Sequence, residues 1–240
     1  MKKIILVILL FLTLNFYANA QTIQQISYCD SAIILLTEKI KGFGPSGNIG
    51  FGFGSIDQYD STALLAYPSF MGLPDSLTDL KKYCVILDNY QFYFQNYKNG
   101  IYTKEDFMEM AKGNLWNLDD TIYLTKNIVK NIICVVSGYN SYKAGVYIVD
   151  ANYNYDFSDD TLRYLYSGLY DLEDILDNSY YVDFEFYDGK SIKKDKKLLH
   201  VRTFGGNAEL ELSFSFPELL YGKIKYGNKI YLICQETYNR

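Results

Sequence analysis

The chain has 240 residues, is 49% hydrophobic, and carries a net charge of −5. An acidic chain with scattered lysines is a poor nucleic-acid partner, because such binding rests on clustered cations. One histidine cannot build a multi-histidine zinc site, and beyond the first twenty residues no run is apolar and long enough to span a bilayer.

Met1 to Ala20 has the pattern of a secretory signal peptide. Lys2 and Lys3 form the basic start, Ile4 to Leu12 the apolar run, and Ala18-Asn19-Ala20 the small-residue cleavage site. We therefore expect cleavage after Ala20, a secreted or periplasmic product, and no membrane insertion afterwards. No Cys stands at the cut, which disfavours a lipoprotein. Loss of the two lysines takes the net charge to about −7.

Residues 21–130 read as mainly helical and residues 131–240 as β-rich. Thr22 to Lys41 spaces Ile26, Ile33, Leu36 and Ile40 close to helical period. Gly42-Phe43-Gly44-Pro45-Ser46-Gly47 fits GxGxxG formally, but it follows a helical pattern and contains Pro, so a dinucleotide loop is rejected. Gly50 to Gly54 alternates Gly with Phe, which suits a short strand or a loop. Ile56 to Pro74 looks irregular.

From Asp75 or Ser76 the residues Leu77, Leu80, Cys84, Leu87, Tyr90 and Phe94 predict one long helix, stopped by Asn99-Gly100. Thr103-Lys104-Glu105-Asp106 opens a second helix with a capping-box-like acid, and Gly113 ends it. Asn117 to Asn131 is ambiguous, with Asp119 and Asp120 read as helix caps.

From Ile132 onward the period becomes two. Strands are predicted near 132–137, 144–150, 161–166, 181–187, 198–203, 208–216, 223–226 and 229–234, with one helical turn near 171–176. Ala208, Leu210, Leu212, Phe214 and Phe216 would face a core, with Glu209, Glu211, Ser213 and Ser215 in water. Asp188-Gly189 and Gly227-Asn228 are hairpin-turn signals. Lys193, Lys194, Lys196 and Lys197 read as a solvated hairpin tip.

The cysteines are Cys29, Cys84, Cys134 and Cys234, too far apart for CxxC chemistry. An even count in an exported chain admits disulfides with three connectivities. Cys29 and Cys84 look helical, and Cys134 and Cys234 look like strand positions. Cys29–Cys84 with Cys134–Cys234 is therefore the preferred pairing, against four buried free thiols.

One stretch could carry specific chemistry. Asp150, Asn152, Asn154, Asp156 and Ser158 place oxygen ligands at alternate positions, and Asp159 and Asp160 follow. The alternation suits calcium, which takes six to eight oxygens on a curling loop, with Asp150, Asn152, Asn154, Asp156 and Asp160 as the ligand candidates. The sixth position is Tyr155 where an EF-hand has Gly, and the twelfth is Thr161 where it has Glu, a place that Asp159 or Asp160 would fill with a different geometry. The competing reading is an Asx-rich turn whose side chains bond their own backbone.

The string from Ile148 to Asp160 resembles a loop of exported, β-rich bacterial accessory domains, some of which precede thioredoxin-like domains. Val182 to Lys190 and Tyr221 to Tyr231 fit the same resemblance, which covers roughly the last half. It implies an accessory domain without assigned activity. The chain has no CxxC, so no redox activity is carried over.

His200, the single histidine, lies on a predicted strand, where a structural role is favoured. No GxSxG elbow and no HExxH occur. The sequence predicts an α+β protein, with N-terminal helices packed on a C-terminal, mostly antiparallel sheet, sandwich or barrel. The function expected is an exported, non-catalytic binding or structural module with a protein or glycan partner, steadied by calcium. One alternative is a carboxylate-dependent hydrolase of extracytoplasmic polysaccharide drawing on Asp156, Asp159, Asp160, Asp183 and Glu185. Another is an adhesin using some of the 25 tyrosines.

Overall fold

Ile132-Ile133-Cys134-Val135-Val136 has no polar face, so a strand made from it must be covered on both sides. The structure, a computed structural model, describes residues 38–41, 51–53, 55–165, 172–203, 211–226 and 229–236. In these the fold is α+β. The strands are β1 (Glu38–Lys41), β2 (Phe51–Phe53), β3 (Thr78–Ile86), β4 (Ile132–Tyr139), β5 (Gly145–Val149), β6 (Arg163–Tyr164), β7 (Tyr180–Tyr187), β8 (Ile192–Thr203), β9 (Leu212–Ser215), β10 (Glu218–Tyr226) and β11 (Lys229–Glu236). The helices are α1 (Ser61–Leu64), α2 (Asn89–Lys98), α3 (Lys104–Gly113) and α4 (Leu172–Asp177), with short 3-10 helices at Ile56–Gln58 and Leu118–Tyr123. Among the described residues no helix is long and apolar enough to cross a membrane.

Among the described residues the named strands pair antiparallel, in three sheets of order β1-β10-β11, β2-β9-β8-β7 and β3-β4-β5-β6. The chain divides into two compact units that are not consecutive in sequence. The smaller holds β1, α4, β10 and β11, and the larger holds the other described elements. In the smaller unit Lys39 Nζ lies 3.7 Å from Oε1 of the buried Glu218.

The larger unit is layered about β3 and β4. On one face of that sheet Cys84, Ile132, Cys134, Val136 and Ile148 pack with Phe92 of α2, with Ile56 and with Phe157. On the other face Tyr83 meets Phe214 of β9, ring centroids 6.1 Å apart, so the second four-stranded sheet covers it. Burial of a large apolar side chain stabilises by about 1.5–3 kcal/mol. The fully buried residues on the two faces, Phe92, Cys134 and Val136 on one and Tyr83, Val135 and Phe214 on the other, therefore make this sheet the centre of the fold.

Covering the helical face, α2 starts at Asp88, whose carboxylate accepts from Gln91 N, and α3 starts in the predicted capping box of Thr103 and Asp106. Tyr90 stacks on Trp116 at 4.7 Å and Tyr97 on Phe107 at 5.1 Å. Buried Gln91 and Gln95 hold the following segment, accepting from Thr125 N and Val129 N.

Several expectations need correction. The long helix expected from Asp75 or Ser76 to Asn99 is strand β3 followed by α2, because its first half serves a sheet buried on both faces. The end of the first predicted helix, Glu38–Lys41, is a strand paired with β10; residues 22–37 lie outside the described residues. Ser213 and Ser215, expected in water, are each 1% exposed. The lysine-rich segment is part of the long strand β8, where Lys196 Nζ pairs with Asp183 at 2.8 Å. Asn117, not Asp119 or Asp120, caps the 3-10 helix. The leader, the GxGxxG stretch, Ala208 to Leu210 and the Gly227-Asn228 turn lie outside the described residues.

Candidate functional site

β5 delivers Asp150 to the head of the loop. Its N–H still donates to Cys134 O at 3.0 Å, the last rung toward β4. The side chain is 2% exposed, and its two oxygens accept from Asn154 N at 3.1 Å and Tyr155 N at 3.0 Å. The alternate positions then repeat the arrangement. Asn152 Oδ1 accepts from Asn154 N, Asn154 Oδ1 from Asp156 N, and Asp156 Oδ1 from Ser158 N and Ser158 Oγ. Short polar side chains at every second residue thus curl the backbone by successive Asx turns.

The curl closes on two acids. Asp159 Oδ2 accepts from Asn152 Nδ2 at 3.1 Å and from Asn154 Nδ2 at 3.0 Å. Asp160 Oδ1 accepts from Ala151 N at 3.1 Å, while its Oδ2 is buried without a hydrogen-bond partner. The sixth position does turn sharply, with Tyr155 at φ 65° and Tyr153 at φ 48°. Two non-glycine residues in the left-handed region cost on the order of 1–2 kcal/mol each.

Tertiary contacts hold the strained loop. Met71 N donates to Tyr155 O, and Phe157 N donates to Met71 O. Phe157 is buried against Phe70, centroids 5.1 Å apart. Gly72, at φ 61°, lies so close that an added Cβ would overlap Asp156 Oδ1 and lie 2.8 Å from Ser158 N. Lys130 Nζ donates to Tyr153 O at 3.2 Å and sits over the rings of Tyr153 and Tyr155.

Burial governs the charges. It lifts Asp150 from 3.8 to about 6, against the two backbone N–H bonds that favour its ionised form. Asp160 is raised for the same first reason, and neighbouring Asp159 and Asp156 add to the shift. Asp156, bonded to Ser158 and open to water, is lowered. The loop therefore gathers Asp150, Asn152, Asn154, Asp159 and Asp160 and turns the Asp156 carboxylate to Ser158. Asp159, offered by the sequence only as an alternative to Asp160, draws both asparagine amides, a role that the curl of the loop gives it. Among the described residues no group of three or more His, Cys, Asp or Glu side chains stands ready to hold a metal ion.

The other sequence candidates are dispersed. His200 is buried on β8 with Nδ1 3.5 Å from Ser215 Oγ, and burial followed by Arg202 lowers it to about 4. Glu185 Oε2 accepts from Lys130 N at 3.0 Å. Cys84 faces Cys134 directly across β3 and β4, whereas Cys234 stands on β11, opposite Tyr221. Cys29 lies outside the described residues. Leu115, Ile122 and Tyr123, which sequence reasoning passed over, are 91%, 75% and 62% exposed. No known family, curated protein or solved structure matches this chain.

Proposed function

We propose an exported, non-catalytic binding or structural module whose loop from Asp150 to Asp160 responds to calcium, with a protein or glycan as its partner. The observation that carries the calcium reading is the curl itself. Oxygen-bearing side chains alternate along it, the sixth residue turns in the left-handed region, and burial followed by the nearby Asp160 and Asp159 carboxylates raises Asp150, while burial followed by Asp159 and Asp156 raises Asp160. A divalent cation would relieve that repulsion and would compete with the asparagine amides now bonded to Asp159. The exposed Leu115, Ile122 and Tyr123 support the binding part, since a partner would remove them from water.

Thermal unfolding of the chain with calcium and with chelator tests this reading. For a Kd of about 1 mM, typical of extracellular modules, about 10 mM calcium stabilises by about 1.4 kcal/mol and raises the midpoint by roughly 3–6 °C. The shift should vanish in Asp150→Ala. A midpoint indifferent to calcium in the unmodified protein removes the ion from the proposal and leaves the loop as a structural turn.

A further inference from the structure

Cys84 and Cys134 are opposite one another in register on β3 and β4. Leu87 N donates to Asn131 O at 2.8 Å, three residues further along the same ladder. Hydrogen-bonded and non-hydrogen-bonded pairs alternate in an antiparallel ladder, so Cys84 and Cys134 form a non-hydrogen-bonded pair. In such pairs the Cα atoms approach to about 4.5 Å and the side chains lie closest, within the range that a disulfide spans. The two sulfurs are 3.7 Å apart and point to the same side of the sheet, into the cluster of Ile56, Phe92, Ile132, Val136, Ile148 and Phe157. The buried residues around the two thiols are apolar, with the partly buried Tyr67, Tyr93, Tyr102 and Tyr155 packed against them.

We propose that Cys84 and Cys134 form a cross-strand disulfide that staples β3 to β4. The oxidant is a small-molecule or protein disulfide of the thiol–disulfide exchange class. The thiolate of one cysteine attacks the oxidant, forming a mixed disulfide and releasing one reduced thiol. The second cysteine then attacks the protein-bound sulfur of that mixed disulfide and expels the second thiol. Two protein thiols and one external disulfide become one protein disulfide and two external thiols, so hydrogens and electrons balance. The thiols are 7% and 0% exposed, and burial also raises the Cys134 thiol, which disfavours its reactive thiolate. The exchange therefore belongs to folding, before the helical layer closes over the sheet. This staple differs from the pairing expected from sequence, where Cys84 was matched with Cys29 and Cys134 with Cys234.

The test refolds the full chain from denaturant in mixed reduced and oxidised glutathione, blocks remaining thiols in acid, and maps peptides without reduction. The expected product is one cross-linked peptide pair containing Cys84 and Cys134. Blocked thiols at both positions, or a link from either to Cys29 or Cys234, would overturn the proposal. A second measurement compares Cys84→Ala, Cys134→Ala and the double variant under oxidising and reducing conditions. The staple should raise the midpoint by on the order of 10 °C. Either single variant abolishes that oxidant-dependent rise, so the double variant loses no more of it than a single one. An oxidant-dependent midpoint that survives in the single variants would refute the pairing even if the peptide map were ambiguous.

Discussion

Two turns of the larger unit use the same device and end with opposite electrostatics. At the β7–β8 hairpin Asp188 Oδ1 accepts from Lys190 N and Ser191 N, and its carboxyl sits below the ordinary range because those bonds favour the charge. In the loop after β5, Asp150 also accepts two backbone N–H groups, yet its carboxyl is lifted to about 6. The difference is burial: Asp188 is open to water, whereas Asp150 is covered and has Asp159 and Asp160 nearby. Two amide donors outweigh solvation loss only where that loss is small. The hairpin is a self-contained turn, and the acidic loop depends on the tertiary structure that holds it.

The sharpest way to break the comparison is at the glycines. Gly72→Ala should destabilise by roughly 2–5 kcal/mol, combining a left-handed φ with overlap on Asp156 and the Ser158 backbone. Gly189→Ala, at φ 88° with open space around it, should cost only the conformational part, about 1–2 kcal/mol. Urea unfolding of both variants measures the gap, and equal losses would deny that the loop is tertiary-held. Next in size is Asp150→Ala, which orphans two amides and should cost about 2–3 kcal/mol without calcium. Asp188→Ala should cost distinctly less, because water replaces its bonds.

The smallest effect is in the pH dependence. His200 is lowered from 6.5 to about 4, so its contribution is present above pH 6.5 and is lost as pH falls through 4. Asp150 is raised from 3.8 to about 6, so its contribution is present below 3.8 and is lost as pH rises through 6. Between pH 4 and 6 the two slopes oppose. Asp150→Asn removes the slope that opposes the histidine, so stability should fall more steeply on acidification from pH 6 to 4 than in the unmodified protein. Parallel stability curves would show that Asp150 does not titrate as a buried acid.

The comparison also explains what could be read from sequence. The hairpin was legible because Asp188-Gly189 carries its own geometry: Gly189 supplies the positive φ and Asp188 bonds the adjacent amides. The α3 start was legible for the same local reason in Thr103 and Asp106. β3 was not, because Leu77, Leu80, Cys84 and Leu87 recur at helical spacing while both faces of the strand are covered, leaving no polar alternation to read. The oxygen alternation of the acidic loop was visible, but its curvature was not. Tyr155 accepts the sixth-position turn because Asp150 within the loop and Met71, some eighty residues away in sequence, bond its backbone, and the Met71 contact cannot be read from the loop alone.

The pairing of β1 with β10 governs the order in which the molecule can be assembled. Glu38 meets Tyr221 only after roughly 180 intervening residues have left the ribosome. The sheets of the larger unit lie almost wholly within that interval and can complete their pairing while β10 is still being made. A segment synthesised early must therefore wait, with its strand edge unmatched, for one synthesised late. Among the described strands, residues 38–41 are made earliest and wait the longest stretch of synthesis for their partner.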